Sequence, residues 1–226
     1  MRKILKILFL WIPCIFVLSS LLLVTLLKWI PVYYTPLMIV RAYQGVKAPD
    51  GVQSHHWVPL EMISVNMQKS VVASEDNRFF THNGFDIEEI RKMRAEHEQK
   101  GKPIRGCSTI SQQTAKNCFT FGTRTWWRKA FEAYYTVLIE KIWGKRRILE
   151  VYLNVAETGK GLYGVESAAQ YYFNIPASRM TLSDAAALTC CLPNPLKRTP
   201  QWVNRKMTTR KAQIADLTAK IDFRLQ

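Results

Sequence analysis

The sequence predicts a mainly α-helical domain behind a single N-terminal membrane-spanning helix. Three observations predict it. Ile7 to Leu27 is an uncharged run rich in Leu, Ile, Val and Phe, and a helix of about 20 such residues crosses roughly 30 Å of hydrocarbon. From Trp57 onward the apolar residues recur mostly at helical spacing, with few alternating runs. No internal repeat or low-complexity segment interrupts that pattern, and the roughly 180 residues after the apolar run suit one domain with a sizeable core.

Taken in order, the apolar run shows no polar face, which argues against a buried core helix. KWIPVYY follows it where a cleavable signal would end in small residues, so the segment reads as an uncleaved anchor. Arg2, Lys3 and Lys6 precede the run and only Lys28 directly follows it, which keeps the N-terminus cytoplasmic and exports the rest. Trp11 and Trp29 sit near its ends as interfacial aromatics, and Pro13 is tolerated in lipid. Residues 31–56 read as a linker, punctuated by Pro36, Gly45, Pro49 and Gly51. Residues 57–226 form the predicted domain. A helix is expected from about Val65 to Ser74, with Glu75 at its C-terminal end. Another begins at the cap Asp86, carries Ile87, Ile90 and Met93, and fades into a charged loop over Glu96–Arg105. Trp127, Phe131, Tyr134, Tyr135, Leu138 and Ile142 form one stripe of a long helix, read as core. Gly144 breaks it. Further helices follow over RRILEVYLN, GVESAAQYYF and TLSDAAALTCCL, the last capped by Thr181 and Asp184 and stopped at Pro193. Met207, Ile214, Leu217 and Ile221 mark a final surface helix.

The formal charge is +15, and the part from Val46 on carries 27 basic against 17 acidic residues, or +10. That balance suits an anionic partner. Export, and the lack of a finger, recognition helix or aromatic-basic strand motif, exclude nucleic acid. Of five cysteines, Cys14 lies in the apolar run and Cys107, Cys118, Cys190 and Cys191 in the domain. Their spacing fits no metal site and no disulfide framework, although a Cys107–Cys118 bridge stays open.

Two polar strings about thirty residues apart carry more acid, amide, hydroxyl and cation than a packed core needs: Ala73–Asp86 and Arg105–Asn117. A helix C-terminus and apolar surroundings would both raise the Glu75 carboxyl toward the range of a general base; the plainer alternative is a surface acid at a helix end. Glu132 sits one position off the apolar stripe with Arg128 four residues before it, and alone reads as a helix ion pair. Thr109, Gln113 and Lys116 or Asn117 fall near one helix face, as a phosphate or diphosphate site requires, or as a solvated polar helix would show. Arg124, Arg128 and Lys129 add cations before Glu132. Lys141, Lys145, Arg146 and Arg147 read as a solvated face or an inner-surface contact rather than a ligand site. His82 lacks partners at ligand spacing and is expected to fix the Glu75 loop by hydrogen bonding rather than bind metal.

Five strings together resemble the peptidoglycan glycosyltransferases of glycosyltransferase family 51. They are EDNRFFTHNG from Glu75, GCSTISQQTAKN from Gly106, the long string from Arg128 to Asn154, GLYGVESAAQYYF from Gly161, and LPNP from Leu192, in family order over roughly Trp57 to Pro200. The resemblance implies a lysozyme-like fold with a small membrane-associated jaw over about Phe85–Ile104. It implies that Glu75 is the base that deprotonates the 4-hydroxyl of the N-acetylglucosamine of lipid II. That oxygen attacks the anomeric carbon of the donor's N-acetylmuramic acid, displaces undecaprenyl pyrophosphate and inverts α to β. Glu132 matches the second carboxylate, near the leaving group. Lys116, Arg128 and Lys129 match diphosphate-contacting cations. Ser108, Thr109, Gln113 and Asn117 match polar donor-site residues, and Asp76, Phe79 and His82 the rest of the first motif. A divalent ion, Mg or Mn, is the expected cofactor, with no organic cofactor. The expected partners are lipid II and lipid-linked glycan, the bacterial inner membrane, and cell-wall synthesis or division proteins. Ser111 stands where Thr is common and Cys107 where a small residue usually lies. No S-x-x-K or K-T-G occurs and the chain leaves little room for such a domain, so polymerisation without transpeptidation is expected. The rival readings are a lysozyme-like hydrolase, since paired carboxylates also serve cleavage, and an inactive membrane-anchored scaffold.

Overall fold

The computed structural model describes residues 2–48, 54–101, 107–121, 125–202 and 204–225, with side chains described from Trp11. It is mainly helical, as the periodicity predicts. The helices are α1 (Arg2–Leu27), α2 (Pro36–Tyr43), α3 (Val65–Glu75), α4 (Ile87–Lys100), α5 (Ile110–Phe119), α6 (Trp126–Ile142), α7 (Gly144–Val155), α8 (Val165–Phe173), α9 (Leu182–Thr189) and α10 (Arg205–Lys220). One small sheet, not foreseen, has the order β1 (Ser54–His55), β3 (Leu162–Tyr163), β2 (Glu157–Gly159), with β1 parallel and β2 antiparallel to β3.

Two helix groups position the site. α5 lies against both α6 and α7, and α3 lies against both α9 and α10. Their shared core is filled by Met67, Val71 and Val72 of α3, Ile110 and Ala115 of α5, Ile139 of α6, and Ile148, Leu149 and Val151 of α7. Burying side chains of this size removes about 1.5–3 kcal/mol of unfavourable hydration each, which is what holds these short helices in place. Ser64 caps α3 by accepting from Met67 N–H, and the Gln68 amide donates to the carbonyls of Leu60 and Ile63, so the polar groups that α3 buries are paired. Asn154 fixes the extended segment before α3 to α7: its Oδ1 accepts from Val58 N–H and its Nδ2 donates to Val58 O, both at 2.9 Å.

Several expectations are corrected here. The segment read as a linker contains α2, started by Thr35, whose hydroxyl accepts from Met38 N–H, and by Pro36 at the first position. α4 does not fade at Glu96; it runs to Lys100 and ends at Gly101 in the left-handed conformation. The long stripe on α6 is core only in its second half. Trp126 and Trp127 stack on each other at 3.9 Å and are 68% and 62% exposed. The cluster read as a solvated face or inner-surface contact divides: Lys141 and Arg146 are exposed, whereas Arg147 donates to the carbonyls of Leu27 and Ile30, pairs with Glu150 and covers the Trp57 ring, and Lys145 pairs with Glu140. All five cysteines are free, so there is no Cys107–Cys118 bridge.

α1 is docked rather than loose. Phe16 meets Phe131 and Tyr134, Ser20 bonds the Tyr135 hydroxyl, and Trp143 Nε1 donates to Val24 O. Its other side exposes Trp11, Ile12, Ile15, Leu18 and Leu22. Among the described residues no helix is long and apolar enough to cross a membrane.

Candidate active site

Glu75 ends α3, half-buried, where the loop Asp76–Asp86 begins. Burial pushes its carboxyl above the ordinary value; the neighbouring Asp76 charge adds to the rise, while a hydrogen bond from Gln113 and the guanidiniums of Arg210 and Arg198 oppose it. The bond runs from Gln113 Nε2 to Glu75 Oε2 at 3.2 Å, and Gln113 Oε1 in turn accepts from the Tyr152 hydroxyl at 3.2 Å. Burial and the charges of Glu75 and Asp76 hold that phenol well above its usual range, so it stays a donor and fixes which way the Gln113 amide points. The result is a carboxylate kept basic, aimed by an amide, and still open to solvent on one side.

The remainder of the first polar string builds the support for Glu75. Asp76 is buried, accepting from His82 Nε2 at 2.9 Å and from Ile110 N–H at 3.0 Å. His82 Nδ1 accepts from Gly84 N–H, so the ring hydrogen sits on Nε2 and points at Asp76. The expectation that His82 fixes the loop is met in this way. Thr109 caps α5 in a reciprocal box with Gln112 and donates to Gly84 O at 2.6 Å. Gly84 has φ +89°, and a Cβ there would lie 2.7 Å from Thr136 Cγ2. Phe79 is fully buried under the Lys145 ammonium, 4.6 Å from its ring centre. Asp76, Phe79, His82 and Thr109 therefore face inward and position the loop, whereas Ser108 is exposed and Gln113 lies between Glu75 and solvent.

α5 leads from this acid to the second one. One turn beyond Gln113, Lys116 reaches solvent, yet burial by the surrounding protein pushes its ammonium down; the Arg128 and Lys129 charges add to the fall, and the carboxylates of Glu132 and Glu157 oppose it only in part. Glu132 is only 2% exposed. Arg128 Nη1 donates to its Oε2 at 2.7 Å and Lys129 Nζ pairs with its Oε1. A carboxylate enclosed by two cations, with a third close by, is already neutralised, and the excess positive charge is left for an anion. Asn117 is buried with its Oδ1 unpartnered. Arg124, expected in this cluster, lies outside the described residues.

Sequence reasoning missed Arg198 and Arg210. Arg210 donates to Ser74 Oγ at 3.2 Å and Arg198 to Cys190 O at 3.2 Å, and both fall close enough to Glu75 to oppose the rise in its pKa. They give the Glu75 end of the site its own positive charge. Only the basic character of the segment was visible in the sequence.

Among the described residues, the one cluster with ligand spacing has its ligating atoms committed to protein partners. Asp76, His82 and Asp86 have ligating atoms within 4.8 Å of one another. Both Asp76 oxygens and both His82 nitrogens are already used in hydrogen bonds, Asp86 Oδ1 caps α4, and Asp86 Oδ2 faces Arg78. Glu132 likewise has both oxygens taken by cations.

A family model described as Transglycosylase matches residues 44–219. The chain is 44% identical over 200 residues to the biosynthetic peptidoglycan transglycosylase of Bacteroides thetaiotaomicron, covering 88% of this chain and 80% of that one. It is 48% identical over 182 residues to that of Bdellovibrio bacteriovorus, 80% and 72% of the two chains, and 41% over 205 residues to one from Pseudomonas putida, 85% and 86%. The chain belongs to the transglycosylase family and is a peptidoglycan glycosyltransferase of cell-wall synthesis.

Proposed function

We propose that the protein polymerises glycan chains from lipid II at the outer face of the inner membrane. The observation that carries this reading is the separation of labour along α5: a raised carboxyl at Gln113 and a cationic group at Lys116, one turn apart. Glu75 takes the proton from the 4-hydroxyl of the acceptor N-acetylglucosamine, and its raised pKa matches that demand. The oxygen forms a bond to the anomeric carbon of the donor's N-acetylmuramic acid. The bond to the diphosphate oxygen breaks from the opposite side, inverting the centre from α to β and releasing undecaprenyl pyrophosphate. Lys116, Arg128 and Lys129 receive the negative charge that develops on that leaving group, with Glu132 holding the two latter cations in place. Arg198 and Arg210 suit the diphosphate of the acceptor. A divalent ion, Mg or Mn, would arrive with the substrate diphosphate, since such ions keep phosphate and water ligands and the described residues offer no free protein cage for one.

In this reading α1 is a single-pass anchor with a cytoplasmic N-terminus and a periplasmic catalytic fold. The exposed apolar side of α1 and its docking on α6 support it. Cell-wall synthesis or division proteins are the expected protein partners. A hydrolase has no diphosphate to stabilise, and the three cations Lys116, Arg128 and Lys129 around one end of the site favour transfer over cleavage. The test is a gel of labelled lipid II products from the detergent-solubilised full chain. A ladder of glycan chains supports the reading. No polymer from folded protein, or shortening of preformed glycan, would overturn it.

A further inference from the structure

After α10 the sequence changes period. Ile221, Asp222, Phe223, Arg224 and Leu225 alternate apolar and charged, the pattern of an extended chain with one covered side. The backbone turns extended at Ile221, with φ −69° and ψ 132°. Ile221, Phe223 and Leu225 pack inward on the core, while Asp222 and Arg224 face outward and pair with each other at 2.6 Å. Among the described residues no backbone hydrogen bond ties residues 221–225 to the rest of the fold, so side-chain packing holds them. Their partner lies in the first polar string. The Phe223 ring stands edge-on to Phe80, with centres 5.4 Å apart and planes at 84°. Phe80 meets Phe79 edge-on at 5.1 Å, and Phe79 meets the His82 ring at 6.5 Å. Edge-to-face rings attract in a defined orientation, so these contacts fix angles as well as distances. His82 donates to Asp76, the residue after Glu75. A relay of four rings thus runs from the segment after α10 to the base. Phe80 is half-buried and borders a cavity of about 460 Å³, lined also by Ala73, Thr81, Leu217 and Ile221. Empty space beside a ring lets it shift unless a neighbour pins it. Among the described residues, Phe223 is the one ring from outside the loop that touches Phe80.

We propose that Phe223 is a positioning residue for Glu75: residues 221–225 form a strap that pins the loop after α3 through Phe80. This deepens the glycosyltransferase reading above and rests on it. Lys116, Arg128 and Lys129 stand on α5 and α6, outside the relay of rings, so the strap acts on the chemical step rather than on donor binding. Without the Phe223 ring, Phe80 shifts toward the cavity and Phe79 and His82 lose their brace. Asp76 then holds the start of the loop less firmly, and Glu75 samples a wider range of positions. A misplacement of about 1 Å in a reacting group costs up to about 10²-fold in rate.

The test compares Phe223→Ala, Phe223→Leu and Phe223→Tyr with wild type in the detergent-solubilised full chain, by lipid II kinetics and by amide hydrogen exchange read by mass spectrometry. Phe223→Ala is expected to lower kcat about tenfold with KM within about twofold. Peptides containing the amides of Gly84 and Ile110, which bond to His82 and Asp76, should exchange about tenfold faster, while those of α6 and α7 stay as in wild type. Phe223→Tyr keeps the ring and should retain wild-type kcat and exchange. Phe223→Leu keeps apolar bulk without the ring and should lie between. An unchanged kcat in Phe223→Ala, or a loss accompanied by equally faster exchange across α6 and α7, overturns the proposal. If folded wild type makes no polymer, the glycosyltransferase reading fails, and exchange at Gly84 and Ile110 still decides the strap: equal rates in wild type and Phe223→Ala would overturn it. Where Phe223→Ala does not fold, Phe223→Leu supplies both readouts with smaller changes of the same sign.

Discussion

Replacing Asp76 by Asn tests whether the loop after α3 is held by one buried acceptor. The carboxylate accepts twice, from His82 Nε2 and Ile110 N–H, at 2.9 and 3.0 Å. An amide has one acceptor oxygen. If that oxygen serves Ile110, the new NH₂ faces His82 Nε2, and the ring must move its hydrogen to Nδ1 to accept. Nδ1 then meets Gly84 N–H, which has lost its acceptor. Every arrangement leaves one buried donor unpaired, at about 1–3 kcal/mol, and turns a charge-assisted bond into a neutral one for about 1 kcal/mol more. The expected loss is about 2–4 kcal/mol. For a chain of this size each kcal/mol shifts the melting temperature by about 2–4 °C, so melts followed by far-UV circular dichroism in detergent should fall by about 5–15 °C. A fall below about 2 °C would refute the argument that this acceptor carries the loop.

Gly84→Ala adds a Cβ at 2.7 Å from Thr136 Cγ2 in a left-handed backbone, and should lower the melting temperature through about 1–3 kcal/mol of strain and overlap; an unchanged melt would contradict it. Glu75→Gln should make the protein more stable at neutral pH. A carboxyl raised on folding contributes stability that is present below its unfolded value, 4.5, and lost as pH rises through the folded value. Wild type and Glu75→Gln should therefore converge in melts near pH 4 and separate above, the variant melting higher; a variant that melts lower at neutral pH would contradict that sign.

The helices were legible where local chemistry and period agreed. Asp86 and Thr181 announced the starts of α4 and α9 through side chains that cap them in the structure. α2 was hidden because Pro36 and Gly45 read as linker punctuation, although Thr35 followed by Pro36 is itself a helix start. Trp127 and Phe131 misled for the opposite reason: helical spacing marks a face but does not say that another element covers it. At the site, motif residues were visible one by one, yet their division was not. Asp76, His82 and Thr109 are committed to one another across the loop and α5, while Gln113 reaches Glu75. Which polar residues spend their bonds internally is a property of packing. Arg198 and Arg210 lie far from Glu75 in the chain, so no spacing rule could connect them.

The central claim is that Glu75 is the base. It is tested most directly by kcat/KM for lipid II polymerisation across pH, in wild type and Glu75→Gln. The account predicts a wild-type rate that rises with pH along a limb centred above the ordinary carboxyl value of 4.5, and a variant about 10²–10⁴-fold slower without that limb. A Glu75→Gln enzyme within about tenfold of wild type, rising along the same limb, would contradict it.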